Sequence, residues 1–344
     1  MRGTRATLEA EVVVVGAGIM GLAAGHALAR EGVDALVLDQ FPLGHGRGSS
    51  HGATRVFRLA YTEPEWVRLA QQALAAWRAL EAESGEELLS LTGLVELVRH
   101  VDESSGGALE ECGVAWEPLE PAEAERRFPV RVPPGLTVVH QPEAGVVHAG
   151  RAHTAYARAL RVLPETRVLS LDPLETTAGR IKANAVVVTA GAWARDLLGP
   201  AGIELDVVPT RETVAYFRLA ANERIPVVAE LGRAGHGFYA LRDPGVGLKV
   251  GFHRSGPTAD PDEEGRPDPE VVHRVAEWAG QVFELADPKP AAVETCLYTN
   301  RKDERFVLAR HGRIVVGSAC SGHGFKFAPI VGRRLGELAL EALA

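Results

Sequence analysis

Three cysteines are all that the 344-residue chain contains. Cys112, Cys296 and Cys320 are too few and too scattered for a disulfide framework or a zinc site. Each thiol is therefore either a small buried hydrophobe or a special one. Charge of one sign is also scarce: the formal net charge is −8 at pH 7, which argues against nucleic acid or an anionic membrane as the main partner. No apolar run is long enough to span a bilayer, and Met1 to Ala10 hold two arginines but no apolar signal region. Internal repeats and low-complexity tracts are missing as well. These absences leave a soluble, cytoplasmic, globular chain, long enough for two domains.

What is there is organised around Val12-Val13-Val14-Val15 and the turn that follows, Gly16-Ala17-Gly18-Ile19-Met20-Gly21. Four consecutive valines read as a strand buried on both faces, as in the middle of a parallel sheet. Gly16, Gly18 and Gly21 fit the G-x-G-x-x-G phosphate turn. The first allows the tight turn, the second lets backbone approach a pyrophosphate, and the third lets helix pack on strand. Ala23, Ala24, Ala27, Leu28 and Ala29 continue as a close-packing helix whose positive N-terminus faces the phosphates. Gly32 ends it, and Val33 to Leu38 form a second strand closed by Asp39. That acid stands about twenty residues beyond the glycines, where a carboxylate binds a ribose hydroxyl. All these parts agree on a dinucleotide; the motif does not choose between NAD and FAD.

Beyond Asp39 a polar loop, Gly44 to Gly52, either solvates freely or wraps the ligand. Thr62-Glu63-Pro64-Glu65 reads as a capping box. It opens a helix with Trp66, Leu69, Ala73, Trp77 and Leu80 at helical spacing, closed by Ser84-Gly85, and both tryptophans read as core. Leu94 to Val98 is a strand, residues 102–134 mix short acidic helices with Pro-Pro turns, and His153 to Leu163 is a helix. Val186 to Trp193 is a second buried strand that returns beside the first. Pro209 to Leu219 and Phe238 to His253 read as antiparallel strands, and Pro269 to Glu284 as a helix. Ala291 to Thr299, Phe306 to Ala309 and Arg313 to Gly317 return to sheet before a last helix from about Pro329. Ser255 to Asp268 and the charged run Arg301 to Arg305 read as solvated. The pattern is mixed α/β, with a discontinuous Rossmann-like domain (1–85, 143–205 and 292–344) and a substrate domain on a mainly antiparallel sheet (86–142 and 206–291).

Strand parity sorts the residues that carry chemistry. In Leu248-Lys249-Val250-Gly251-Phe252-His253 the apolar residues take one face. Lys249, Gly251 and His253 take the other, the glycine leaving space for something flat; the plain alternative is a solvent-exposed lysine face. Glu294, Cys296 and Tyr298 likewise share a face, and there the plain alternative is an inert core thiol. Arg55 and Arg58 converge if locally helical, and an arginine fork suits a carboxylate, although a surface pair is the bland reading. In Ser321-Gly322-His323-Gly324-Phe325-Lys326 glycines strip side chains away before a helix N-terminus and a lysine adds positive charge, which suits an anion.

Taken together, these stretches resemble the monomeric sarcosine oxidase and N-methyltryptophan oxidase family, flavoenzymes of the D-amino-acid-oxidase-like superfamily, over nearly the whole chain. The resemblance is carried by Gly16 to Gly21, Ser50-His51-Gly52-Ala53-Thr54-Arg55, Gly247 to His253, Cys296-Leu297-Tyr298-Thr299 and Ser321 to Phe327. It implies a D-amino-acid-oxidase-like fold with FAD rather than NAD, and a thioether from Cys296 to the flavin 8α-methyl. It also implies that Arg58 and Lys326 bind a substrate carboxylate and that Lys249 activates oxygen. His51 and Arg55 are expected near the flavin, as is the Gly322–Gly324 turn with Lys326. His253, Tyr239 and Tyr298 are expected around the amine. The implied reaction turns a secondary amino acid (sarcosine, another N-methyl amino acid or a cyclic imino acid) into an imine and reduces oxygen to hydrogen peroxide. The expected protein is a monomer that binds no metal. Two further readings stay open: an amino-acid dehydrogenase on the same fold with another electron acceptor, and a flavin-holding subunit without turnover.

Overall fold

The computed structural model describes residues 8–221, 224–232 and 236–344; the expectation for residues 1–7 lies outside the described residues. Two compact units emerge. One comprises Met1–His51, Ala152–Pro209 and Tyr298–Ala344, the other Gly52–Arg151 and Thr210–Leu297. Residues 52–85 and 143–151, grouped above with the Rossmann-like segments, thus fall in the second unit. Strand pairing explains why. Thr54–Phe57 pairs with Gly145–His148, which pairs in turn with Leu89–Leu91, a three-stranded antiparallel sheet.

The first unit is built on a parallel sheet. Leu8–Val15 lies between Gly179–Val188 and Ala35–Leu38. Arg161–Leu163 adds to the outer side of Ala35–Leu38, and Ile314–Ser318 to the outer side of Gly179–Val188. Val12, Val13, Val14, Val186, Val187 and Val188 are all fully buried. A strand covered on both faces has no polar side to present, so an uninterrupted β-branched run is what it requires. Helix Ile19–Arg30 follows the first strand directly and packs against the closing helix Ala328–Leu343. The expected helix from His153 to Leu163 is corrected: helix Ala149–Ala157 stops early and Arg161–Leu163 is a strand. The open edge of Ala35–Leu38 offers a parallel partner that a helix here would leave unpaired.

In the second unit the main sheet runs in the order Ala292–Asn300, Val208–Phe217, Gly247–His253, Gly237–Asp243, Val227–Leu231, Leu94–Val98, Thr137–Gln141, Glu117–Leu119. The pairing is mostly antiparallel, with Val227–Leu231 parallel to Leu94–Val98. Helix Pro269–Val282 begins where Asp268 accepts a hydrogen bond from the Glu270 amide. Its Val275, Trp278 and Val282 pack with Phe217, Leu248 and Val250 from the sheet. Helix Pro64–Ser84 starts at its proline, but its N-cap is Glu63 and no side chain caps it, so the capping box does not form. Trp77 is fully buried, whereas Trp66 is half-buried and stacks on Tyr61; only one of the two tryptophans is core. Among the described residues no helix is long and apolar enough to cross a membrane.

Candidate active site

The glycine turn of the first unit is closed by backbone approaching backbone. Gly16 has φ +100° and would place a Cβ 2.6 Å from Thr189 O; a Cβ on Gly21 would sit 1.9 Å from Gly16 O. Thr189 shares its hydroxyl between Val15 O at 2.9 Å and Gly16 O at 3.2 Å. Asp39, 7 % exposed, accepts from Ala17 N at 2.8 Å through Oδ2 and from Phe41 N at 2.9 Å through Oδ1. It therefore ties the end of its strand to the turn, with His45 Nε2 at 3.5 Å from Oδ1. Ser50 Oγ accepts from Ile19 N at 3.1 Å, which folds the polar loop over the helix start. The loop wraps. A bare turn at a helix N-terminus with a buried carboxylate beside it fits the pyrophosphate and ribose of a dinucleotide.

The second unit holds a cluster of charged and aromatic groups around Lys249. That lysine is 7 % exposed on the face opposite Leu248 and Val250, so the solvent-exposed alternative fails. Its ammonium has no hydrogen-bond partner among the described residues. Nζ stands 5.7 Å from the ring centroid of Tyr216, the residue directly across from it on strand Val208–Phe217. A Cβ on Gly52 would meet Arg55 Nη1 at 3.4 Å and Lys249 Nζ at 3.8 Å, which makes the two cations neighbours. Burial first, then Arg55, pull Lys249 from its ordinary 10.5 down to about 8, while Cys296, Glu294 and Asp243 oppose the fall. Tyr216 donates its hydroxyl to Glu294 Oε2 at 2.8 Å. Burial and that carboxylate hold its phenol protonated, well above the ordinary range. Asp243, buried, accepts from Gly245 N at 2.9 Å and Val246 N at 3.0 Å. Cys296 forms no disulfide and is half-buried.

Two expectations for this unit are corrected by local geometry. The space over Gly251 is filled by the chain itself, because a Cβ there would fall 2.5 Å from Tyr239 Oη. Tyr239 is the cross-strand partner of Gly251, and its ring forms an aromatic shelf where an open slot was expected. Arg55 lies within strand Thr54–Phe57 and Arg58 just beyond it, so no helix brings them together. Arg55 Nη1 donates to Thr54 O at 2.8 Å, on the Lys249 side. Arg58 instead donates to Ala60 O and stands 4.3 Å from the Tyr61 ring centroid. Burial pushes the Tyr61 phenol up to about 12, with Arg58 pulling it back.

In the first unit, Ser321 to Lys326 forms a tight turn. Gly322 has φ +75°. A Cβ on Gly324 would lie 1.8 Å from Ala319 O, so the turn itself requires this glycine. Ser321 N donates to Thr299 O at 3.0 Å and anchors the turn. Lys326, 4 % exposed, donates to His323 O at 2.7 Å ahead of helix Ala328–Leu343. Tyr298 is buried, and His51 and His253 are half-buried. Sequence reasoning singles out none of Ser50, Thr189, Tyr216 and Asp243. A signal existed for Tyr216, which faces Lys249 once strands Val208–Phe217 and Gly247–His253 are in register, but the sequence does not fix that register.

By sequence the chain is 34 % identical to the peroxisomal sarcosine oxidase of Homo sapiens, covering 96 % of this chain and 92 % of that protein. It is 32 % identical to the monomeric sarcosine oxidase of a Bacillus species, again over 96 % of this chain and 92 % of that one. Among solved structures it is similar to NikD, an unusual amino acid oxidase essential for nikkomycin biosynthesis. The TM-score is 0.87 at 26 % identity, covering 97 % of this chain and 95 % of that one. The DAO family of FAD-dependent oxidoreductases matches residues 11–338. That span takes in the glycine turn, the lysine cluster and the C-terminal turn alike, and the chain belongs to this family.

Proposed function

We propose that this protein is an FAD-dependent oxidase of secondary amino acids, with sarcosine, other N-methyl amino acids and cyclic imino acids as the substrate class. It oxidises the amine to an imine, which hydrolyses, and oxygen is reduced to hydrogen peroxide. The observation that carries the oxidase reading is Lys249, a buried cation whose ammonium has no hydrogen-bond partner among the described residues. Sarcosine oxidases among the relatives support the substrate class.

FAD supplies the hydride acceptor when bound. Everything else falls to the residues of this chain. Gly16, Gly18 and Gly21 cradle the pyrophosphate and Asp39 holds the ribose, so the first unit is the cofactor domain and the second the substrate domain. The substrate carboxylate goes to the guanidinium of Arg58 and the ammonium of Lys326, which fixes the reacting C–H and converts an encounter into an oriented intramolecular event. His253, Tyr239 and Tyr298 shape the amine pocket, the Tyr239 ring being its flat wall. Lys249 stabilises the negative charge that grows on oxygen, an electrostatic effect that is large in a dry site. His51, Arg55, Gly322 and Gly324 border the flavin, and Lys326 adds positive charge there. Cys296 is the covalent attachment point and reacts as the thiolate, so its Sγ proton must leave first. The protein works as a cytoplasmic monomer.

The test is direct. Purified yellow protein is incubated under air with sarcosine, N-methyltryptophan, pipecolate and proline, and peroxide is measured. At least one substrate yields peroxide; silence across the panel with flavin bound rejects the oxidase reading.

A further inference from the structure

We infer that Tyr216 and Glu294 are a positioning pair for Lys249, the carboxylate anchoring the phenol and the phenol ring facing the ammonium. The inference rests on the oxygen-activating role proposed for that lysine. Strands Ala292–Asn300, Val208–Phe217 and Gly247–His253 are consecutive in the sheet and carry Glu294, Tyr216 and Lys249 respectively. Tyr216 and Lys249 are directly paired, with Nζ 5.7 Å from the ring centroid. Tyr216 Oη donates to Glu294 Oε2 at 2.8 Å. The three side chains thus form one row across three strands.

Each link depends on the next. A cation is drawn to the face of an aromatic ring, more so where water is excluded. A charged acceptor shortens and strengthens the phenol's hydrogen bond, which fixes the ring under the ammonium. Glu294 is itself exposed, so without Tyr216 its carboxylate is free to swing into solvent. The groups facing Lys249 are Arg55 on the strand after Gly52, Tyr216, Asp243 on the neighbouring hairpin strand, and Glu294 with Cys296 on the edge strand. Arg55 repels the ammonium. Asp243 is already committed to two backbone amides in its turn. Glu294 is the acid held in place by the Tyr216 hydroxyl, and the Tyr216 ring faces Nζ at 5.7 Å.

The chain has five lysines, few enough for each to be followed by NMR in protein labelled with 13C at lysine Cε. Lys249→Met identifies the Lys249 signal, and its titration midpoint is measured in the holoenzyme. Glu294→Gln keeps the acceptor but removes the charge, so the midpoint falls by about half a pH unit. Tyr216→Phe moves it in the same direction, and Glu294→Asp restores it. An unchanged midpoint in Glu294→Gln, an exposed position with little bearing on folding, overturns the inference. If the midpoints move but the pH profile of the oxygen reaction does not follow, the pair stands and the oxygen role of Lys249 falls. If the midpoints stay while Lys249→Met still slows the oxygen reaction, the pair falls and the oxygen role stands.

Discussion

Replacing Lys249 by Met separates stability from catalysis at one position. The side chains are similar in length, and the change removes a buried charge. Folding takes the ammonium from its ordinary 10.5 to about 8. At about 1.4 kcal/mol per unit, that shift means the buried charge destabilises the apoprotein by roughly 3 kcal/mol. The sign follows from proton counting. Below pH 8 both folded and unfolded chains carry the proton, so the full penalty is present. Between 8 and 10.5 the folded chain has released its proton while the unfolded chain keeps it, and stability recovers as pH rises. Above that window the penalty is gone. Lys249→Met apoprotein is therefore more stable than the parent at pH 7 in urea unfolding, by up to about 3 kcal/mol, with the gain fading as the titration window is crossed. Catalysis moves the other way. A unit charge about 4 Å from charge developing on oxygen is worth about 4 kcal/mol at an effective dielectric of 20, close to a thousandfold in rate. Stopped-flow mixing of reduced enzyme with oxygen should show that loss, while anaerobic reduction by substrate changes far less. No stability gain at pH 7, or an equal slowing of both half-reactions, would refute the assignment of Lys249 as a buried cation held for oxygen.

Gly21→Ala drives a methyl group into Gly16 O, where the gap is 1.9 Å, so the variant should purify without flavin absorbance or not fold. Cys296→Ser should bind FAD yet release its yellow colour on acid precipitation, whereas the parent keeps it; colour retained by the variant would place the attachment elsewhere. In that same Cys296→Ser background, Asp39→Ala frees the Ala17 amide and removes the proposed ribose partner. Fluorescence titration of the apoprotein should then show FAD affinity weakened by about 10- to 100-fold, as expected for losing a hydrogen bond to a charged group.

The fold was most legible where local pattern and burial agree. Val12 to Val15 could be read as a central strand because β-branched residues on both faces fit only a strand covered twice. Asp39 could be placed because the glycine turn fixes how far the second strand must run. The misreadings share a cause. Residues 158–163 follow a helix and lack a proline or glycine break until Pro164, so nothing local reveals that Arg161–Leu163 completes a parallel sheet. Residues 52–85 and 143–151 cluster with the second unit, where Gly145–His148 pairs with Leu89–Leu91, and sequence proximity does not report that pairing.

For the site, parity identified the side chains and could not supply their surroundings. Alternation along Gly247–His253 puts Lys249, Gly251 and His253 on one face, but whether that face meets water depends on what the neighbouring strands bring to it. The answer lies in register. Tyr239 opposite Gly251 converts an open slot into an aromatic wall, and Tyr216 opposite Lys249 converts a surface lysine into a buried cation. A shift of either strand by one residue would point those rings into the Trp278 core and return Lys249 to solvent. Its charge would then titrate near the ordinary lysine value and favour oxygen chemistry no more than a surface lysine does. The reactivity proposed here is therefore a property of strand pairing as much as of the lysine, and substitutions that loosen the Val208–Phe217 pairing should raise the Lys249 titration midpoint even where they leave the lysine itself untouched.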